Sequence, residues 1–150
     1  MKKLWLFLLI VTCFLTACNL SLPRVRSESA SQIMSELLSE FALAEGFVYE
    51  SDLEAELPLT DQLLARMFPD DGDTEDLCCV VSAAAYFSKR FSEHEILIFE
   101  VCDLSHTEDI TRLLQKRAKK KENAVVIADG VYVYLICTDR NEEISRYLKP

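Results

Sequence analysis

The fold is decided by Val125-Val126-Ile127-Ala128-Asp129-Gly130-Val131-Tyr132-Val133-Tyr134-Leu135-Ile136, two apolar runs joined by Asp129-Gly130. Asp-Gly between β-branched and aromatic residues predicts a β-hairpin, because the tight turn needs positive backbone φ angles. By strand alternation, Tyr132 and Tyr134 share one face. There they either pack against neighbouring strands under a helix or form a platform for a ligand. The stretch therefore predicts an antiparallel sheet.

Two further strands precede this hairpin. Residues 77–87 and 95–101 are rich in β-branched and aromatic side chains, and the polar segment 88–92 connects them. We expect these strands to pair antiparallel with each other. Together with the hairpin they predict a sheet of four strands.

Helical spacing of apolar residues predicts four helices, which begin near Ser29, Thr60, Ser105 and Arg140. Ser29 with Gln32 fits a capping box, and Gly46 offers a left-handed stop for the first helix. Ser105 with Glu108 fits a second capping box. Thr60 caps the short second helix, which ends before Pro69.

The elements therefore follow the order ααββαββα, which is typical of an α+β fold with helices packed against a four-stranded antiparallel sheet. We expect one domain over residues 28–150, a length that can bury a real core.

The N-terminus has the pattern of an export signal. Lys2 and Lys3 precede a twelve-residue apolar run, Leu4 to Leu15, and Leu15-Thr16-Ala17-Cys18 follows the pattern of a lipoprotein cleavage site. The run is too short to span a bilayer, which needs about 20 apolar residues. We therefore expect residues 1–17 to be a signal peptide, Cys18 to be the lipid attachment residue, and residues 18–27 to form a lipidated tether.

Net charge limits the partners. The chain carries −9 at pH 7, and loss of Lys2 and Lys3 would lower this to −11, which disfavours nucleic-acid binding. Residues 27–76 hold fourteen acidic side chains against the single Arg66. Such a segment would be repelled by anionic lipids, so the lipid anchor has to provide the attachment to the membrane.

Four cysteines remain after the signal and Cys18 are set aside: Cys78, Cys79, Cys102 and Cys137. Each lies in or beside a β-type apolar run, which favours simple burial. A disulfide between Cys102 and Cys137 is conceivable in an exported chain, although four cysteines allow three connectivities. Cys78 and Cys79 would point to opposite faces of a strand, so they are poor partners for each other.

Three polar segments are candidates for a metal, lipid or catalytic site. The acidic run 70–76 fails the calcium-loop pattern, so it predicts a solvated turn or, as the alternative, a weak cation site. The basic run 116–121 complements the negative end of a helix dipole, or else contacts lipid heads, wall polymer or the acidic half of the chain. Cys102, Asp103 and His106 lack a second pair of metal ligands, and the chain shows no catalytic motif of a hydrolase. We therefore assign no catalytic residue, metal or cofactor.

The sequence resembles small Gram-positive lipoproteins that carry the domain of unknown function numbered four thousand three hundred and fifty-eight. The resemblance rests on the Leu-Thr-Ala-Cys signal, on Glu95-Ile96-Leu97-Ile98-Phe99-Glu100-Val101 followed by a charged helix with Arg112 and Arg117, and on Gly130-Val131-Tyr132-Val133-Tyr134-Leu135-Ile136. The cysteines at 78, 79, 102 and 137 depart from that pattern. The resemblance implies no activity, catalytic residue or cofactor.

These patterns predict an envelope lipoprotein on the extracytoplasmic face of the cell membrane, with a palmitate-type anchor at Cys18. We expect a non-catalytic module that binds an envelope protein or wall polymer, because no catalytic constellation is found. The alternative is a thiol- or metal-dependent envelope enzyme that uses Cys78, Cys79 or Cys102.

Overall fold

The structure is a computed structural model that describes residues 26–70, 74–89 and 94–149. The predicted signal peptide, Cys18 and the centre of the acidic run lie outside these ranges. The described elements are α1 (Ala30–Phe41), β1 (Gly46–Glu50), α2 (Asp61–Met67), β2 (Val80–Ser88), β3 (Glu95–Val101), α3 (Thr107–Ala118), β4 (Val125–Asp129), β5 (Tyr132–Cys137) and α4 (Asn141–Leu148). Short 3-10 turns, Asp76–Cys79 and Leu104–His106, precede β2 and α3.

The strands form one open antiparallel sheet in the order β1-β2-β3-β5-β4. The α+β class is confirmed, but the prediction of four strands is wrong because the described sheet has five. The missing strand is β1, which pairs Gly46 with Ser88 and Glu50 with Ala84. It is only five residues long, but Phe47-Val48-Tyr49 has the aromatic and β-branched content of a strand and is bounded by Gly46 and Ser51, so this signal could have found it.

Gly46 has a different role from the predicted one. The first helix is capped at Ala42, which itself takes the left-handed conformation with φ 43°. A Cβ at Gly46 would lie 2.6 Å from the carbonyl oxygen of Phe87 and would also collide with the ring of Tyr86. The glycine is therefore needed for close packing of β1 against β2, and not for the end of a helix.

Helices cover both faces of the sheet. On one face α1 and α4 pack over a cluster that includes Ile96, Ile98 and Tyr134. On the other face α2 and α3 pack over a cluster that includes Leu97 and Phe99. Because alternate residues of β3 point into the two clusters, both sets must be apolar, which explains its continuous apolar sequence.

The start of two elements differs from the sequence prediction. The stretch 77–87 begins as a 3-10 turn that contains both Cys78 and Cys79, so these residues do not alternate along a strand. The capping box predicted at Ser105 does not form. Instead the Asp103 carboxylate accepts a hydrogen bond of 2.7 Å from the Ser105 N–H, and α3 begins only at Thr107.

Other predicted signals are confirmed. Ser29 and Gln32 form both bonds of the capping box, at 2.9 Å and 3.3 Å. Thr60 caps α2 through its hydroxyl, which accepts from the Leu63 N–H at 3.3 Å. Gly130 takes the positive φ, 59°, that the hairpin turn requires.

Tyr132 and Tyr134 do not form a ligand platform. Both rings are buried beneath α1 and stack on each other with centroids 6.2 Å apart. The Tyr132 hydroxyl donates to the carbonyl oxygen of Glu28 at 2.8 Å, which ties β5 to the segment that leads into α1. The pair is therefore part of the core.

A buried carboxylate ties the sheet to the helices of the second face. Glu95, the first residue of β3, has only 1% of its side chain exposed. Arg117 binds it through Nε and also through Nη2, 3.0 Å from Oε2, while the Lys121 ammonium lies 2.6 Å from Oε2. Arg117 Nη1 also donates to the carbonyl oxygen of Met67 at 2.8 Å, at the end of α2. One ion cluster thus joins β3, α2 and α3.

We predict that Glu95→Gln lowers the free energy of unfolding by about 3 kcal/mol, because it leaves two partly buried cations without their counter-charge. Urea denaturation followed by circular dichroism measures the change. The matched control is Glu142→Gln, whose exposed pair with Arg146 spans 3.3 Å and should change stability by less than about 0.5 kcal/mol. Equal losses of stability from the two substitutions would show that the buried ion cluster contributes no more than an exposed ion pair.

Two buried tyrosine hydroxyls differ in their hydrogen bonding. Among the described residues, the Tyr134 hydroxyl is buried without a hydrogen-bond partner. Burial also raises its pKa above the ordinary value, because the charged form would lose its solvation. The buried Tyr86 hydroxyl, by contrast, donates to the carbonyl oxygen of Ala44 at 2.7 Å. The two tyrosines differ mainly in whether the hydroxyl is satisfied.

We predict that Tyr134→Phe leaves the free energy of unfolding unchanged or raises it by up to about 1 kcal/mol, because an unsatisfied buried group is removed. Tyr86→Phe should lower it by about 1 kcal/mol, because a formed hydrogen bond is lost. Chemical denaturation of the two variants under the same conditions measures both changes in the free energy of unfolding. A larger loss for Tyr134→Phe than for Tyr86→Phe would contradict the assignment.

Candidate functional site

The chain enters the folded domain at one end of the sheet. The carbonyl oxygen of Arg26, the first described residue, accepts a hydrogen bond of 3.4 Å from Tyr132 at the start of β5. Arg26 Nη2 donates to the carbonyl oxygen of Tyr147 at 3.1 Å, and its guanidinium lies 5.5 Å from the ring centroid of that residue. Arg26 therefore belongs to the domain, although it falls within the predicted tether 18–27. We call this the entry end of the sheet.

The opposite, or far, end of the sheet carries an open polar cleft of about 450 Å³. It lies where β5 ends and α4 begins. Its lining comes from Asn123, Thr138, Asp139, Arg140, Asn141, Glu142, Glu143 and Arg146. The six residues of β5 separate the cleft from the entry end, a distance of about 17 Å along the strand.

Asn141 organises the cleft. Its side-chain oxygen accepts from the Thr138 N–H at 2.7 Å, and its amide nitrogen donates to the carbonyl oxygen of Asn123 at 2.5 Å. Asn123 has a positive φ of 63°, a conformation that asparagine tolerates better than most residues. These bonds fix the segments before β4 and after β5 against each other and give the cleft a defined wall.

Arg140 supplies the second fixed element of the cleft. Its Nη1 donates to the carbonyl oxygen of Phe41 at 2.7 Å, so it also holds the end of α1. Its hydrogen bonds with the Glu143 carboxylate raise the pKa of Arg140 and lower the pKa of Glu143. The cleft thus presents charged groups of both signs at neutral pH, together with amide groups. Such a surface can hold a polar ligand by hydrogen bonds.

Acidic residues are concentrated at the entry end. The loops that follow β1 and β3 and precede β2 carry Asp52, Glu54, Glu56, Glu75, Asp76 and Asp103. The basic run at the end of α3 lies at the far end, where acidic residues also occur. Within this run Arg117 and Lys121 bind Glu95, so part of the run serves an internal ion cluster.

The cysteines predicted as site candidates lie in different places. Cys137 is buried at the far end, directly opposite Glu95 on β3, whereas Cys102 is exposed just after β3 at the entry end. The length of the paired strands separates them, and none of the four described cysteines forms a disulfide. The suggested Cys102–Cys137 bridge is therefore not formed. Cys18, the predicted lipid attachment residue, lies outside the described ranges.

Cys78, Cys79 and Cys102 all lie at the entry end. Cys78 and Cys102 are exposed, whereas Cys79 is buried and its thiol donates to the carbonyl oxygen of Asp76 at 3.0 Å. Burial raises the pKa of Cys79, and the neighbouring Cys78 thiol adds to the shift. Because the thiolate is the reactive form, a raised pKa makes Cys79 a weaker nucleophile at neutral pH.

The remaining titratable candidates do not converge on one centre. His106 lies in the 3-10 turn before α3, and hydrogen bonds from Ser105 lower the pKa of the exposed Asp103 carboxylate. Across the described residues, no group of three or more His, Cys, Asp or Glu side chains is arranged to hold a metal ion.

In those same ranges no helix has the length and apolar character needed to cross a membrane.

Sequence reasoning missed the cleft. Thr138 and Asn141 bond to each other locally, but Asn123 joins them only because the hairpin brings residue 123 beside residue 138. The Asp129-Gly130 turn contained that information, since it fixes which residues flank the open end of the hairpin.

Comparison with protein-family models, with curated proteins and with solved structures found no match for this chain. Membership of the lipoprotein family named from the sequence motifs therefore stays a prediction.

Proposed function

We propose that this chain is an envelope lipoprotein, anchored through lipid at Cys18 on the extracytoplasmic face of the cell membrane, whose domain is a non-catalytic binding module. The anchor is supported by the Lys2-Lys3 start, the short apolar run and Leu-Thr-Ala-Cys18. The resemblance to small Gram-positive lipoproteins supports the same assignment.

The main support for the proposal is that the chain enters the domain at one end of the sheet and the cleft lies at the other. Cys18 precedes Arg26 by eight residues, which span at most about 28 Å when extended. A lipid at Cys18 would therefore keep the entry end near the membrane surface. The cleft around Asn141 opens at the far end of the sheet, where a protein or polymer of the envelope would have access to it.

Charge favours the same orientation. The acidic loops of the entry end would face anionic lipid heads and be repelled by them over roughly a Debye length, about 8 Å at physiological salt. This repulsion would hold the domain off the surface while the lipid retains it. The basic run at the end of α3 would point away from the membrane, so contact of that run with lipid heads is disfavoured.

The alternative, a thiol- or metal-dependent envelope enzyme, rests on the three cysteines at the entry end. Its weakness is the raised pKa of Cys79, whose thiol donates its hydrogen bond to the Asp76 carbonyl oxygen and not to a side chain that could act as a base. A binding module accounts for the defined polar cleft without requiring a nucleophile.

Photo-cross-linking in intact cells tests the assignment of the binding surface. Benzoylphenylalanine is placed at Arg146, in the far-end cleft, or at Leu53, in an entry-end loop; these side chains are 77% and 82% exposed respectively. We expect a discrete adduct with an envelope protein or wall polymer from position 146 and none from position 53. The comparison controls for reactivity because both positions are open to solvent.

An adduct from position 53 alone would place the partner at the entry end and contradict the proposal. Self-adducts alone from both positions would argue against a binding module altogether. A third variant, Asn141→Ala combined with the probe at 146, should weaken the adduct, because it removes the hydrogen bonds to Thr138 and Asn123 that shape the cleft.

A further inference from the structure

The 3-10 turn before β2 lies beside the segment that follows β3. Val80 and Val101 are partners across the two strands, and the next residue outward on each chain is a cysteine, Cys79 on one and Cys102 on the other. The Cys102 N–H donates to the Cys79 carbonyl oxygen at 2.9 Å, which holds the two segments together just beyond the last strand pair. The two cysteines are therefore adjacent in space although they are far apart in sequence.

That hydrogen bond limits the distance between the two Cα atoms. Standard bond lengths place a Cα about 1.5 Å from its own nitrogen and about 2.4 Å from its own carbonyl oxygen. With the 2.9 Å bond between them, the Cα atoms of Cys79 and Cys102 cannot be farther apart than about 6.8 Å. Disulfides occupy the range of about 4.4–6.8 Å.

We propose that Cys79 and Cys102 are a modification site at which an intramolecular disulfide forms under oxidising conditions. Cys102 is exposed, so its side chain is free to change rotamer, while Cys79 is held in place by the turn that contains it. The bridge would replace the hydrogen bond from the Cys79 thiol to the Asp76 carbonyl oxygen. This inference rests on the pairing of β2 with β3 and is independent of the lipid anchor.

The oxidant is a small-molecule disulfide, and the reaction is thiol–disulfide exchange. The exposed Cys102 loses its proton, and its thiolate attacks one sulfur of the oxidant, which releases one small thiolate and leaves a mixed disulfide. The Cys79 thiolate then attacks the Cys102 sulfur and releases the second small thiolate. The two protein protons are taken up by these two products, so two protein thiols are oxidised and one small disulfide is reduced to two thiols.

The bridge would close the chain from residue 79 to residue 102, which includes β2, β3 and their connection. A covalent loop of this kind reduces the freedom of the unfolded chain, so the oxidised protein should be the more stable form. It would also link the exposed turn with Cys78 covalently to the end of β3.

Tryptic mapping of the full chain, purified in detergent and equilibrated with oxidised and reduced glutathione, tests the proposal. Cleavage separates Cys78 and Cys79 in fragment 67–89, Cys102 in fragment 91–112 and Cys137 in fragment 122–140. We expect a disulfide-linked pair of fragments 67–89 and 91–112 in the native protein and in Cys78→Ala. The pair should be absent from Cys79→Ala and Cys102→Ala.

Reduction of the native protein should lower its Tm by at least about 5 °C, whereas the Tm of Cys102→Ala should not respond to the redox buffer. Cys102→Ala changes an exposed side chain, so it serves even where Cys79→Ala fails to fold. Persistence of the linked pair in Cys79→Ala would assign the bridge to Cys78 and overturn the proposal. A link between fragments 91–112 and 122–140, or no link at any glutathione ratio, would also overturn it.

Discussion

The buried carboxylate of Glu95 constrains how the central strand and the helices of one face are placed. It lies at the start of β3, the central strand, and its charge can be accommodated there only because Arg117 and Lys121 reach it from α3 and the segment after α3. Arg117 also binds the last carbonyl oxygen of α2 and lies over the ring of Phe68. Helix positions on this face are thus fixed by hydrogen bonds with strict geometry, and apolar packing alone would not set them so narrowly.

The helices on both faces of the sheet limit where a partner can bind. The faces of the sheet are covered by helices, so a partner can reach the sheet itself only at its two ends and along its edges. One end receives the chain at Arg26 and is strongly acidic, and the other carries the cleft organised by Asn141. We infer that the fold separates attachment from recognition, with the strands acting as a rigid spacer between them.

The sequence was informative wherever a local signal has a single physical reason. Asp129-Gly130, the Ser29 capping box and the Thr60 cap each require one backbone geometry, and each was confirmed. It was misleading where one residue type serves two purposes. Gly46 is typical of a helix stop but is needed for the approach of β1 to Tyr86, and the basic run 116–121 resembles a dipole complement while Arg117 serves Glu95. Most of the cleft comes from the local segment 138–146, but Asn123 joins it only through pairing of β4 with β5, and no motif spacing marked the segment as a site.

Attachment through Cys18 determines the proposed orientation of the domain, with the entry end toward the membrane and the cleft away from it. The most direct measurement is incorporation of radiolabelled palmitate into the full-length chain in its own host, compared with Cys18→Ala at equal expression. We expect strong labelling of the native chain and none of the variant. Equal labelling of the two chains, or none in the native chain, would contradict it.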